Sequence, residues 1–98
     1  MRTLRLTNRA RADLREIGRY TQERWGVGRR DAYLDDLTAA ALSLVREPER
    51  GSMHLDPDVR RLTVRSHVLY YRLTPDFVRV LRILHGAMDP ARRLRVKE

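Results

Sequence analysis

Ninety-eight residues are read as one domain spanning 1–98, with a compact core, because a chain this short buries only a modest share of its surface. The absence of cysteine excludes disulfides and thiolate zinc sites, and no apolar run approaches the roughly 18 residues of a membrane helix. Twenty-one basic against thirteen acidic residues leave a net charge of +8, a field that favours nucleic acid, a nucleic-acid enzyme or an acidic protein as partner.

In chain order, the N-terminal MRTLRLTNRA has no signal-peptide core, so a cytoplasmic protein without a membrane partner is expected. Thr3–Thr7 alternates, with Leu4 and Leu6 on one face, and reads as a first strand. Thr7 or Asn8 can cap a helix, since either side chain accepts from the free N–H groups of a first turn. Ala10, Leu14, Ile17 and either Tyr20 or Thr21 recur at helical spacing and point an apolar stripe inward. Arg9–Asp13 and Arg19–Glu23 are spaced to form ion pairs along that helix. WGVG (Trp25–Gly28) ends it, as glycine tolerates the left-handed geometry of a C-terminal cap. A second helix runs from about Arg29 to Glu47, with Tyr33, Leu34, Leu37, Ala41, Leu44 and Val45 inward, and PERG (Pro48–Gly51) stops it. So short a link predicts an antiparallel hairpin.

GSMHLDPDV lacks periodicity and reads as a surface loop. Arg61–Arg65 alternates, with Leu62 and Val64 on one face. HVLYYRLT (His67–Thr74) is rich in strand formers, TPD marks a turn, and FVRVLRIL (Phe77–Leu84) suits a central strand covered on both sides. In that strand Arg79 and Arg82 fall on opposite faces. Asp89–Pro90 can then start a turn or short helix. The expected order is β-α-α-β-β-β, an α+β domain with the hairpin on one face of a mostly antiparallel sheet.

The charge is unevenly spread. Residues 1–50 hold 11 basic and 8 acidic residues, whereas Arg60 to Arg95 hold nine arginines against only Asp76 and Asp89. Twenty of the 21 basic residues are arginine, which fits a GC-rich genome as well as a binding role. Arg11, Arg15 and Arg19 make one like-charged stripe at i, i+4 and i+8, either a solvated face or a surface for an acidic partner. Of His54, His67 and His85, the last two lie on adjacent predicted strands and can approach each other. They are read either as an acid–base pair or as structural hydrogen-bonding histidines. Trp25, Tyr33, Tyr70 and Tyr71 are read as core in preference to base-stacking platforms. No metal-ligand spacing, phosphate loop or serine elbow occurs, and no cofactor is implied.

The segments LTNRARADLREIGRYTQERWG, REPERG, SHVLYYRL and VRVLRILHGAMD together resemble ParE-type toxins of bacterial type II toxin–antitoxin operons, within the ParE/RelE superfamily. The resemblance runs from Leu4 to about Arg93 and implies a twisted sheet carrying an α-hairpin. RelE-like members are ribosome-dependent mRNA endonucleases that use a strand arginine and a C-terminal tyrosine. Here the stretch is HVLYY, which puts Val68 at the arginine's position, and GAMDPARRLRVKE contains no tyrosine. The resemblance therefore implies the ParE branch: a non-enzymatic inhibitor of DNA gyrase, neutralised by a ParD-type antitoxin in a heterotetramer or larger complex. A RelE-type mRNA endonuclease built on His67, His85 and Arg82 is the alternative. The expected target or antitoxin contacts are Arg11, Arg15, Arg19, Arg61, Arg65, Arg72, Arg82, His85, Arg92, Arg93 and Arg95. Direct nucleic-acid binding stays open at this level.

Overall fold

Strand β1 (Thr3–Leu6) leads into the helices α1 (Asn8–Trp25) and α2 (Val27–Arg46), followed by β2 (Ser52–Met53), β3 (Arg60–Val64), β4 (His67–Leu73) and β5 (Phe77–His85). The structure is a computed structural model that describes residues 1–54 and 56–88. The expected α+β fold is present. The expected contacts Arg92, Arg93 and Arg95, and the Asp89–Pro90 turn, lie outside the described residues.

Thr7, not Asn8, caps α1: its hydroxyl accepts from the Ala10 N–H at 3.0 Å. One residue separates the helices. Gly26, at φ 92°, holds the left-handed geometry, while Val27 and Gly28 already belong to α2. The expected WGVG break thus contracts to Gly26. Thr21 takes the buried place on α1, and Tyr20 is 52% exposed. Trp25, expected in the core, is 55% exposed at the hairpin tip, where the Arg24 guanidinium lies 5.4 Å from both the Trp25 and Tyr20 rings.

The sheet order is β1-β5-β4-β3-β2; β1 runs parallel to β5 and every other pair is antiparallel. The expected loop after Gly51 contributes β2, whose Ser52 and Met53 pair with Arg61 and Arg60. Two residues are too few to show a period, so this strand comes from pairing alone. One face of the sheet meets the helices through a core of Ala10, Ile17, Leu37, Ala41, Leu44, Leu69, Tyr71, Val78, Val80 and Ile83. Val59, Val68, Tyr70, Leu81 and Leu84 form a second cluster on the other face, so β5 is apolar on both sides as expected. Between Tyr70 and Tyr71 the register shifts, because Tyr70 pairs with Arg82 and Tyr71 with Val80. Leu81 is therefore an extra residue, a β-bulge that changes the facing of the residues after it.

Tyr71 pins the chain leaving α2. Its hydroxyl donates to the Pro48 carbonyl at 2.8 Å and accepts from the Gly51 N–H at 3.0 Å. Gly51 has no room for a side chain, since a Cβ there would lie 2.6 Å from both the Arg61 carbonyl oxygen and the Tyr71 hydroxyl. Gly51→Ala is expected to cost about 1–3 kcal/mol in urea unfolding, as overpacking does. Gly86→Ala, whose Cβ would meet only the Ser66 oxygen at 3.6 Å, is the tolerated control. Equal stability of the two variants would refute the packing argument.

Candidate functional site

Strand β1 pairs with β5 only as far as Leu6 with Val80, and β5 continues to His85. Along this stretch side chains of α1 and its cap bond the edge of β5. The Thr7 N–H donates to the Val80 oxygen at 3.0 Å, and the Thr7 hydroxyl donates to the Leu81 oxygen at 2.8 Å. Asp13 then accepts from the Ile83 N–H at 2.9 Å and from Arg82 Nε and Nη2 at 2.8 and 2.9 Å. Both side chains of this pair are only 13% exposed. The fork-to-fork bonding raises the Arg82 pKa above its ordinary value. The expected contact residue Arg82 thus serves to dock α1 on the sheet, and the expected Arg9–Asp13 ion pair gives way to this one.

His67 and His85 face each other across β4 and β5 in register, with ring centroids 5.3 Å apart and nearly perpendicular planes. Tyr33 of α2 supplies the third group. Its hydroxyl oxygen accepts from the Ser66 N–H at 3.3 Å and is hydrogen-bonded to His67 Nδ1 at 2.6 Å, the direction following the His67 tautomer. His85 Nδ1 accepts from the Ala87 N–H at 3.1 Å. Both Nδ1 atoms are thus engaged, and His85, whose Nδ1 accepts, carries its proton on Nε2 when neutral. Burial, then the neighbouring His85, lowers the His67 pKa, and Asp13 partly opposes this. His54 stands apart from the pair, with its ring 5.4 Å from the Tyr70 ring.

The remaining expected residues separate into different surfaces. Arg11, Arg15 and Arg19 are exposed along α1; Arg19 pairs with Glu16 one turn back, not with Glu23. Arg65, at φ 54° in the turn between β3 and β4, donates from Nε to Asp36 of α2 at 2.6 Å. Arg61 and Arg72 stand on the sheet face away from the helices, because their neighbours Leu62, Tyr71 and Leu73 pack on the helix side. Arg72 also lines a pocket of about 460 Å³ with Arg60, Asp58, Met53, Pro57 and Leu73. A second groove, of about 300 Å³, runs between α2 (Asp36, Ala39, Ala40) and β3 (Leu62, Thr63, Val64) and is also lined by Arg50. Among the described residues, no group of three or more His, Cys, Asp or Glu is placed to hold a metal ion, and no helix is long and apolar enough to cross a membrane.

Residues 4–90 match the family model described as the ParE toxin of the type II toxin–antitoxin system, parDE. Toxin ParE1 of Caulobacter vibrioides is 35% identical over 91 residues, covering 91% of this chain and 94% of that protein. Toxin ParE1 of Mycobacterium tuberculosis is 37% identical over 92 residues, with the same shares covered. Among solved structures, the chromosomal ParDE toxin–antitoxin system from P. aeruginosa superposes with a TM-score of 0.79 at 25% identity, over 87% of this chain and 96% of that one. The toxin–antitoxin complex RelBE2 from M. tuberculosis superposes at 0.64 and 24% identity, over 86% and 96%, a likeness of fold.

The site geometry makes two outcomes measurable. Asp13→Ala removes the acceptor of the Ile83 N–H together with the carboxylate bound to Arg82, and should cost about 3 kcal/mol in urea unfolding. Stability unchanged from the parent chain would show that the clamp contributes nothing. His67 has a folded pKa below its ordinary 6.5. The unfolded chain therefore binds this proton more readily, and the His67 contribution is full above that value and falls as the solution is acidified through the lowered one. His67→Gln should flatten the loss of stability between about pH 7.5 and pH 5.5, a window centred on the histidine reference value. An unaltered pH profile would assign that loss to other groups.

Proposed function

The chain belongs to the ParE toxin family of type II toxin–antitoxin systems, and from that membership we propose that it inhibits DNA gyrase without enzymatic chemistry of its own. It acts in the cytoplasm, blocks replication by stalling the cleaved gyrase–DNA complex, and is held inactive by a ParD-type antitoxin in a heterotetramer or larger assembly. One observation supports this reading over RNA cleavage. Attack by a 2′-hydroxyl needs a base within reach, and both candidate histidines have Nδ1 engaged within the fold, that of His67 with Tyr33 and that of His85 with the Ala87 N–H. Arginine, with its high pKa, does not replace them as proton acceptor. Val68, at the position of the RelE-type strand arginine, is an apolar member of the cluster on the helix-free face.

The groove between α2 and β3 is the seat for the antitoxin. Strand β2 covers only Arg60 and Arg61 of β3, so the outer backbone edge of Leu62–Val64 is available to an added strand. Ala39 and Ala40 are small enough for a helix or strand to approach α2 closely. The Arg11, Arg15 and Arg19 stripe on the exposed side of α1 attracts the acidic stretches of the same partner. Arg61, Arg72 and His85 remain for the target.

Purified chain assayed on gyrase supercoiling and, in parallel, on mRNA in translating ribosomes tests the function. Inhibited supercoiling with intact mRNA is expected, and codon-specific cleavage with unaffected gyrase would sink the reading. Ala39→Arg should weaken antitoxin binding by at least about tenfold, the size of a truncated interface anchor, while leaving gyrase inhibition intact. Unchanged antitoxin affinity would move the seat elsewhere.

A further inference from the structure

The core stripe of α1 continues past the end of the sheet. Arg24 and Trp25 stand three and four residues beyond buried Thr21, so they begin the next turn on the same side of the helix. From Asp13 to Trp25 the helix rises about 18 Å, whereas β5 advances only about 7 Å from Ile83 to His85. The last turns of α1 therefore overhang the strands. Tyr20, Trp25 and Val27 are at least half exposed there, and the other exposed large apolar side chains among the described residues, Met1, Leu42, Met53 and Met88, stand on separate elements. The tip is held in one shape. A single residue, Gly26, joins the helices, and Arg30 of α2 donates to the Gln22 side-chain oxygen of α1. The Tyr20 and Trp25 rings meet edge to face at 6.3 Å, with Arg24 over both. Among the described residues no hydrogen bond or ion pair engages the Arg24 guanidinium, so its N–H donors are left to solvent. Tryptophan, tyrosine and arginine carry much of the binding energy at protein interfaces, and side chains already ordered lose little entropy on binding.

We propose that the hairpin tip, through Tyr20, Arg24, Trp25 and Val27, is an anchor on gyrase and takes a protein surface where a carboxylate borders an apolar hollow. The anchor rests on the gyrase reading given above. Its occupant is argued from charge and place. A carboxylate is the acceptor that matches the open fork of Arg24, and the rings and Val27 supply the apolar contact beside it. A second copy of this chain, carrying the same +8, is repelled. The antitoxin groove begins at Asp36, about 14 Å along α2 from Val27, and draws on no residue of the tip. The tip is thus left to the target.

Trp25 is the one tryptophan of the chain, so fluorotryptophan incorporated into the full protein reports on the tip alone by fluorine NMR. Gyrase free of DNA should shift or broaden that resonance, whereas duplex DNA alone and the antitoxin alone should leave it in place. Trp25→Ala and Arg24→Gln should each raise the toxin concentration that half-inhibits supercoiling by about tenfold or more, the size of a lost interface anchor. Leu42→Ala, which trims an exposed apolar side chain away from the tip, should leave that concentration unchanged. Circular dichroism and antitoxin affinity matching the parent chain show that the tip variants fold. A parent chain that neither binds nor inhibits gyrase would remove the gyrase reading and this anchor together. Inhibition by the parent with Trp25→Ala and Arg24→Gln equally potent would overturn the anchor alone, as would a resonance that moves with DNA or antitoxin and not with gyrase.

Discussion

A single carboxylate joins the two halves of this molecule. Strand β5 outruns its parallel neighbour β1, and a strand edge left in that condition inside a fold exposes backbone groups that must find partners. Asp13 meets the Ile83 N–H and the Arg82 guanidinium together, while Thr7 caps α1 and bonds the Leu81 carbonyl with the same hydroxyl. The helix thereby takes the place of a strand along the end of β5. With α1 anchored, the one-residue link at Gly26 returns α2 against it, and Tyr33 comes over the end of β4 to meet His67.

That anchoring decides what the histidines can do. Their adjacency comes from strand register, but their protonation comes from the donors around them. Tyr33 accepts from the Ser66 N–H and is hydrogen-bonded to His67 Nδ1, and in the turn after β5 the Ala87 N–H donates to His85 Nδ1. Through Tyr33 the pair is tied to α2 of the hairpin.

Much of the fold was legible in the sequence because its signals are local: Leu4 and Leu6 alternate, Ala10 and Ile17 recur at helical spacing, and HVLYYRL and FVRVLRIL are dense in strand formers. The approach of His67 to His85 was legible too, since neighbouring strands bring such residues together. The features that escaped are long-range or too small for a pattern. Asp13 has Arg9 one helical turn away, and nothing local announces Arg82, which lies 69 residues on. Ser52–Met53 is too short to alternate. Trp25 carries the residue type of a core but sits at a hairpin tip, stacked with Arg24 and Tyr20. The facing of Arg79 and Arg82 could not be drawn before the register was known, because the bulge at Leu81 interrupts the alternation between them.

The α2–β3 groove is the proposed antitoxin seat, and the histidine pair is tied into the fold by hydrogen bonds. The proposed target is the gyrase–DNA complex. The deciding measurement is the amount of linear plasmid recovered when gyrase, supercoiled DNA and this protein are incubated together and then denatured with detergent and protease. Accumulation of linear, gyrase-linked DNA that disappears on adding the antitoxin is the predicted result. Plasmid that stays intact at every toxin concentration, with gyrase fully active, would contradict it.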